Sequence, residues 1–385
     1  MNHDDLTDQL REQLRAQVDG LAGAPLPFES VRGRAHAIRR TRRIAAASVA
    51  AVAVVAIALP VSLLGDPANR GDSPPEIADT PTQAEEQVPP PAIPYVDGTT
   101  LTMPDGTERE LPASYTTVAV LGEKVLGVSI DPQESTATLE RIEGGEVTSS
   151  EELADSGLAL NPEGTSVAYV RSDGELVVES EDDQAGLGYH GTVQPVRLFG
   201  GGICGAEDGQ CLVFVDDGRT PKVISGPDDV TELPDDPLAV EDASSAAGRV
   251  AMLMSIAERE PGSCSRVVSN DGAVGEVFET CEVTLSRFSP GGDHLSAGPA
   301  YQSGIGDSFV AIVDGETGDE VARHEPADGF VGVSVWEDAE HLLALSHESG
   351  EWSVVRLGVD GSVETVLGPV AGDELEPPWR LVGAS

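Results

Sequence analysis

Lysine is nearly missing from these 385 residues. Only Lys124 and Lys222 occur, and Lys plus Arg total 23 against 67 Asp plus Glu, a formal net charge of −44. Such a deficit of cations excludes a nucleic-acid partner, because neutralising a phosphate backbone needs Lys and Arg in surplus. Aromatic residues make up only 4%, whereas Gly and Pro number 43 and 27. A chain so composed turns often between short strands of Val, Leu and Ala. With 39% apolar residues it is not disordered throughout, and its length allows one large domain or two ordinary ones.

The common signatures of catalysis are missing as well. There is no Gly-x-Ser-x-Gly elbow, no His-Glu-x-x-His helix and no phosphate-binding Gly-rich loop before a helix. The sialidase Asp-box and the twelve-residue calcium loop are also absent. The seven His residues are scattered without ligand spacing; His341 and His347, six apart, would share one face of a strand, which is too little for a metal site. Acidic stretches such as Glu181-Asp182-Asp183 read as solvated turns. No catalytic residue, metal or cofactor is therefore expected.

The charge is segregated along the chain. Residues 1–43 hold eight Arg and six acids, residues 44–65 (IAAASVAAVAVVAIALPVSLLG) hold no charge, and the remainder holds 15 basic and 61 acidic residues. An uncharged run of 22 residues is long enough to cross a hydrocarbon core of about 30 Å as a helix. The flank ending in Arg39, Arg40, Arg42 and Arg43 keeps the amino terminus cytoplasmic by the positive-inside tendency, and everything after Gly65 is placed outside. A cleaved signal peptide is the alternative, but its positive region is not preceded by some forty residues and its apolar region is shorter. Before the span, Leu6, Leu10, Leu14 and Val18 form an apolar stripe on a short helix. It either lies on the inner leaflet, packs on its own copy or docks a cytoplasmic protein.

Residues 66–94 contain eight prolines and almost no large apolar side chain, the composition of an extended, disordered linker. All four cysteines, Cys204, Cys211, Cys264 and Cys281, follow the span, where an oxidising compartment permits disulfides. Local pairing of 204 with 211 and of 264 with 281 would staple two loops or hairpins, although three connectivities are formally open.

From Tyr95 to Ser385 short apolar runs alternate with Gly, Asp and Pro turns, and Asp173-Gly174, Asp217-Gly218, Asp314-Gly315 and Asp360-Gly361 are hairpin signals. The segments repeat. Leu160-Asn161-Pro162-Glu163-Gly164 followed by Ser166-Val167-Ala168-Tyr169 matches Phe288-Ser289-Pro290-Gly291-Gly292 followed by His294-Leu295-Ser296-Ala297. Degenerate copies place turns near positions 122, 163, 208, 248, 291 and 338. A period of about 40–45 residues with four short strands per unit is that of propeller blades. The Ser-Pro-x-Gly turn resembles the WD-repeat-like, TolB-type β-propeller repeat, which implies an all-β fold from residue 95 to 385. Six turns plus one composite unit, made from Thr99–Leu111 and Pro378–Val382, count seven blades; six and eight stay open.

The layout resembles membrane-bound regulators of actinobacterial type, including those that hold sigma factors, although residues 1–43 lack the His-x-x-x-Cys-x-x-Cys motif of zinc-type anti-sigma domains. The expected molecule is a non-enzymatic, single-pass membrane protein. Its partners are the lipid bilayer, an unknown protein or envelope ligand at the propeller, and a cytoplasmic protein at the amino-terminal helix. The competing class is an extracytoplasmic hydrolase, lyase or cyclase on the same scaffold.

Overall fold

The computed structural model describes residues 88–131, 136–199, 212–216, 220–226, 229–233, 236–256, 262–269, 275–300 and 306–383. Residues 1–43, the 44–65 run, most of the Pro-rich segment, Cys204 and Cys211 lie outside them. Among the described residues no helix is long and apolar enough to cross a membrane.

These residues form 28 strands in seven four-stranded antiparallel sheets. Blade 1 contains β1 (Tyr95–Asp97), β2 (Thr100–Thr102) and β3 (Glu108–Glu110) and, as its first strand, the last of the chain, β28 (Trp379–Leu381). Blade 2 is β4–β7 (Thr117–Leu121, Lys124–Asp131, Thr136–Glu143, Glu146–Leu153). Blade 3 is β8–β11 (Ala159–Leu160, Ser166–Val170, Glu175–Ser180, Gln184–His190) and blade 4 is β12–β15 (Gln194–Phe199, Leu212–Asp216, Lys222–Gly226, Asp229–Glu232). Blade 5 is β16–β19 (Ala239–Ser244, Arg249–Ser255, Cys264–Ser269, Glu276–Thr280) and blade 6 is β20–β23 (Val283–Phe288, His294–Pro299, Val310–Asp314, Glu320–His324). Blade 7 is β24–β27 (Gly329–Trp336, His341–Glu348, Glu351–Gly358, Val363–Ala371).

From blade 3 round to blade 1, the first strands of successive blades approach one another and line the inner ring. Each radial sheet is buried on both faces, which is why strands such as Ser166–Val170 are buried at every position. Alternate residues then serve different neighbours: Val167 and Tyr169 pack towards blade 2, whereas Ala168 and Val170 pack towards blade 4. Seven apolar clusters fill the seven interfaces between neighbouring blades. The ring is closed by antiparallel pairing of Tyr95 with Leu381, Val96 with Arg380 and Asp97 with Trp379. This removes the free edge that an open sheet would present to other chains.

The turns near 122, 163, 248, 291 and 338 all join the first and second strands of their blades. Gly164, at φ 66°, and Gly292, at φ 79°, supply the left-handed backbone that these tight turns need. Because strands alternate in direction, all first-to-second turns gather on one face of the ring. The chain enters on blade 7, where Arg356 donates from Nη1 to the Pro89 carbonyl (3.3 Å) and from Nη2 to that of Pro90 (3.1 Å) while pairing with Glu337. The Pro-rich segment therefore ends in contact with the propeller.

Cys264 and Cys281 form a disulfide across the two outer strands of blade 5, a separation of 17 residues. Closing a loop of this length is worth about 3 kcal/mol in the chain-entropy account. Replacing both cysteines by Ser is expected to lower stability by about 2–4 kcal/mol, read as a urea midpoint shift, and to leave the oxidised protein's midpoint as the upper of the two. An unchanged midpoint would show that the bridge constrains nothing.

Candidate functional site

The inner strands of blades 4 to 7 share a distortion absent from those of blades 1 to 3. Their pairing with the second strand slips between Pro195 and Arg197, Val240 and Asp242, Leu285 and Phe288, and Val331 and Ser334, whereas β28, β4 and β8 pair in unbroken register. A β-bulge bends its strand and re-aims a side chain. At three of the four, in blades 4, 5 and 6, the bulge lies beside charged residues in strands that are otherwise uncharged: Arg197, Glu241 with Asp242, and Arg287.

Arg197 and Asp242 are buried, at 4% and 0% exposure. Arg197 Nε lies 3.4 Å from Asp242 Oδ1, a distance and geometry that form no hydrogen bond, so Nε, Nη1 and Oδ1 all lack a hydrogen-bond partner. The Phe288 amide donates to Asp242 Oδ2 at 2.8 Å. Arg287 reaches the Val196 carbonyl from Nη1 at 3.5 Å, and Trp336 Nε1 donates to the Arg287 carbonyl at 2.9 Å. Burial pushes the Arg287 guanidinium below its usual range, Asp242 opposes this and Arg197 adds to it.

Glu241 accepts a hydrogen bond from Ser265 Oγ at 3.0 Å, and its Oε2 is buried without a partner. Burial pushes its carboxyl up from 4.5 to about 8, with the Ser265 bond acting the other way. The native carboxyl thus keeps a proton that the unfolded chain releases. Its contribution to stability is complete below the unfolded value of 4.5 and is lost as pH rises through about 8. Glu241→Gln should flatten that decline, on the order of several kcal/mol, when urea midpoints are compared at about pH 5 and pH 9. Parallel pH profiles for the two proteins would refute the buried, protonated state.

A cavity of about 280 Å³ opens on the face that carries the first-to-second turns. Its walls include Ile93, Val120, Leu160, Phe288, Trp336 and Val382, and Arg197 is the only cation among its lining residues. Glu163 and Glu337 also line it; Glu163 accepts from Asn161 Nδ2 at 2.9 Å and Glu337 is tied to Arg356. A second cavity of about 250 Å³ lies between the inner strands of blades 6 and 7 and is lined by Arg287 and Asp307. Burial pushes the Asp307 carboxyl up.

The residues singled out from the sequence fall elsewhere. Cys264 and Cys281 sit at the outer edge of blade 5, away from the cavity lining. His347 is buried against Trp352 and Phe330, with centroids 4.8 and 5.1 Å away, while His341 pairs with Asp338 at the surface. Among the described residues no group of three His, Cys, Asp or Glu is arranged to hold a metal ion. Leu6, Leu10, Leu14, Val18, Arg39, Arg40, Arg42 and Arg43 lie outside the described residues. Sequence reading missed Arg197, Glu241, Asp242 and Arg287. Their only signal is a charge inside the runs Val196-Arg197-Leu198-Phe199, Val240-Glu241-Asp242-Ala243 and Leu285-Ser286-Arg287-Phe288.

No family model and no curated protein matches the chain. Solved structures do. The propeller domain of the trilobed protease from Pyrococcus furiosus matches at 14% identity and TM-score 0.43, over 67% of this chain and 85% of that one. TolB from Acinetobacter baumannii matches at 14% identity and TM-score 0.38, over 69% and 75%. The RRP9 WD40 repeats match at 13% identity and TM-score 0.46, over 74% and 87%. A puromycin-hydrolysing peptidase from Mycobacterium tuberculosis matches at 16% identity and TM-score 0.38, over 67% of this chain, which spans about half (53%) of that protein. At these identities the likeness concerns the fold alone, and the seven four-stranded sheets of this chain form a seven-bladed β-propeller.

Proposed function

We propose that this chain is a single-pass membrane protein whose extracytoplasmic propeller is a non-enzymatic binding and sensing module, with the amino-terminal helix relaying occupancy to a cytoplasmic protein. The observation that carries the binding role is the cavity at the centre of the ring: apolar walls around one buried arginine with unfilled donors. Pockets of this kind, with few fixed polar groups in an apolar wall, bind small ligands or single anchoring side chains. The orientation is supported by the partition of charge, Arg-rich before the neutral run and acidic after it. The Pro-rich segment would hold the propeller off the bilayer, and the cytoplasmic output includes sigma-factor control as one form.

Cross-linking in membranes followed by pull-down tests the proposal with the intact chain and with residues 1–20 deleted. An envelope component should be captured by both and a cytoplasmic protein by the intact chain alone. If every captured protein survives the deletion, the relay fails.

A further inference from the structure

We propose that the central cavity binds a monocarboxylate carried on an apolar body, with Arg197 receiving the carboxylate. This rests on reading the propeller as a binding module and names its ligand class. Arg197 lines the cavity at 4% exposure, yet its Nε and Nη1 have no hydrogen-bond partner. Buried guanidinium donors are normally filled, because removing them from water without a partner is costly. Asp242 does not fill them: it approaches Nε only at 3.4 Å, and its other oxygen is taken by the Phe288 amide. A planar guanidinium fork suits a carboxylate or a phosphate.

Local charge decides between those two. Arg197 and Arg287 face a single acid, Asp242, and the cavity is also walled by the acids Glu163 and Glu337. Arg197 is the one cation among the lining residues, enough to meet a single negative charge; a phosphate dianion would bring a second charge with no lining cation to meet it and two carboxylates nearby. The walls of Ile93, Val120, Leu160, Phe288, Trp336 and Val382 suit an apolar body on the rest of the ligand. At longer range the propeller repels any anion, since 61 acids outnumber 15 bases beyond residue 65. Salt screens that repulsion, with a Debye length of about 8 Å at 0.15 M, far more than it weakens a buried pair. Affinity should consequently rise with moderate salt, the reverse of an anion on a basic surface.

The test uses the full chain in lipid nanodiscs and follows thermal unfolding of the propeller in butyrate, butyramide, inorganic phosphate and chloride at matched ionic strength. Butyrate should raise the midpoint saturably, because a ligand bound only to the native state stabilises it. Butyramide, isosteric but neutral, should bind about tenfold more weakly or worse, given the strength of hydrogen bonds to charged groups. Phosphate should do no more than chloride. Arg197→Gln should abolish the butyrate effect and Arg197→Lys should keep part of it. Because Arg197→Gln strips Asp242 of its cation and weakens the ring, butyrate against butyramide on the unaltered chain is decisive. Equal responses to the two overturn the carboxylate site while leaving an apolar pocket, a phosphate response equal to butyrate's overturns the choice of anion, and no response to any of them overturns the site. The pull-down of an envelope component is read independently in every case.

Discussion

Glu179→Ala is expected to destabilise the propeller by about 3–5 kcal/mol, the cost of leaving buried cations without their counter-charge. Glu179 lies on β10 at 1% exposure, at the interface of blades 2 and 3. Arg141 of β6 donates to it from Nε at 2.9 Å and from Nη2 at 2.8 Å, Lys124 of β5 from Nζ at 3.3 Å and the Tyr169 hydroxyl at 3.0 Å. Glu151 of β7 completes the network, bonding Arg141, Arg171 and Tyr169. Truncating Glu179 leaves Lys124 without its carboxylate and Arg141 with Glu151 alone. By contrast, replacing Lys124 and Arg141 by Met together with Glu179 by Leu should cost far less, because Glu151 keeps Arg171 and no buried charge is stranded. Urea midpoints of the three proteins decide it; a loss under about 1 kcal/mol for Glu179→Ala would show that solvent already screens the network.

The second large effect is expected at the closure. Ending the chain before Pro378 removes β28, so the inner edge of β1 loses its partner. The interface of blades 7 and 1 also loses Trp379 and Leu381, and the Pro94 carbonyl loses the Val382 amide (2.9 Å). Blade 1 then keeps three strands of three residues each, with an open edge that templates aggregation. The expected result is loss of a single cooperative unfolding transition and of the monomer on size exclusion. Trp379→Ala, which retains the strand but empties a site 6% exposed, should cost about 3–5 kcal/mol. A truncated chain that stayed monomeric and unfolded cooperatively would mean that the ring does not depend on this pairing.

How much of this was legible depends on how far along the chain each signal reaches. The blades were legible because their markers are local: Pro162-Glu163-Gly164 and Pro290-Gly291-Gly292 carry their own turn chemistry, and both prove to join first to second strands. Closure was legible because apolar runs at both ends lacked partners in their own repeats; the strand at Trp379–Leu381 fills the composite blade as expected. The charged cluster was not legible. Arg197, Asp242 and Arg287 are about 45 residues apart and meet only because successive blades place equivalent strands side by side. The bulges that turn these charges inward depend on cross-strand register, which no local pattern reports. Glu179 and Arg141 were hidden for a similar reason: among 61 acids nothing marks the one that two blades bury together.

Protease shaving of intact cells tests the outward propeller most directly. If the chain spans the membrane at residues 44–65, added protease cuts the Pro-rich segment and releases the closed ring into the medium as one folded fragment, while an epitope before residue 43 stays protected. A propeller that remains cell-associated and uncut in whole cells, yet is released once the cells are opened, would place it on the inner side and contradict the extracytoplasmic binding module.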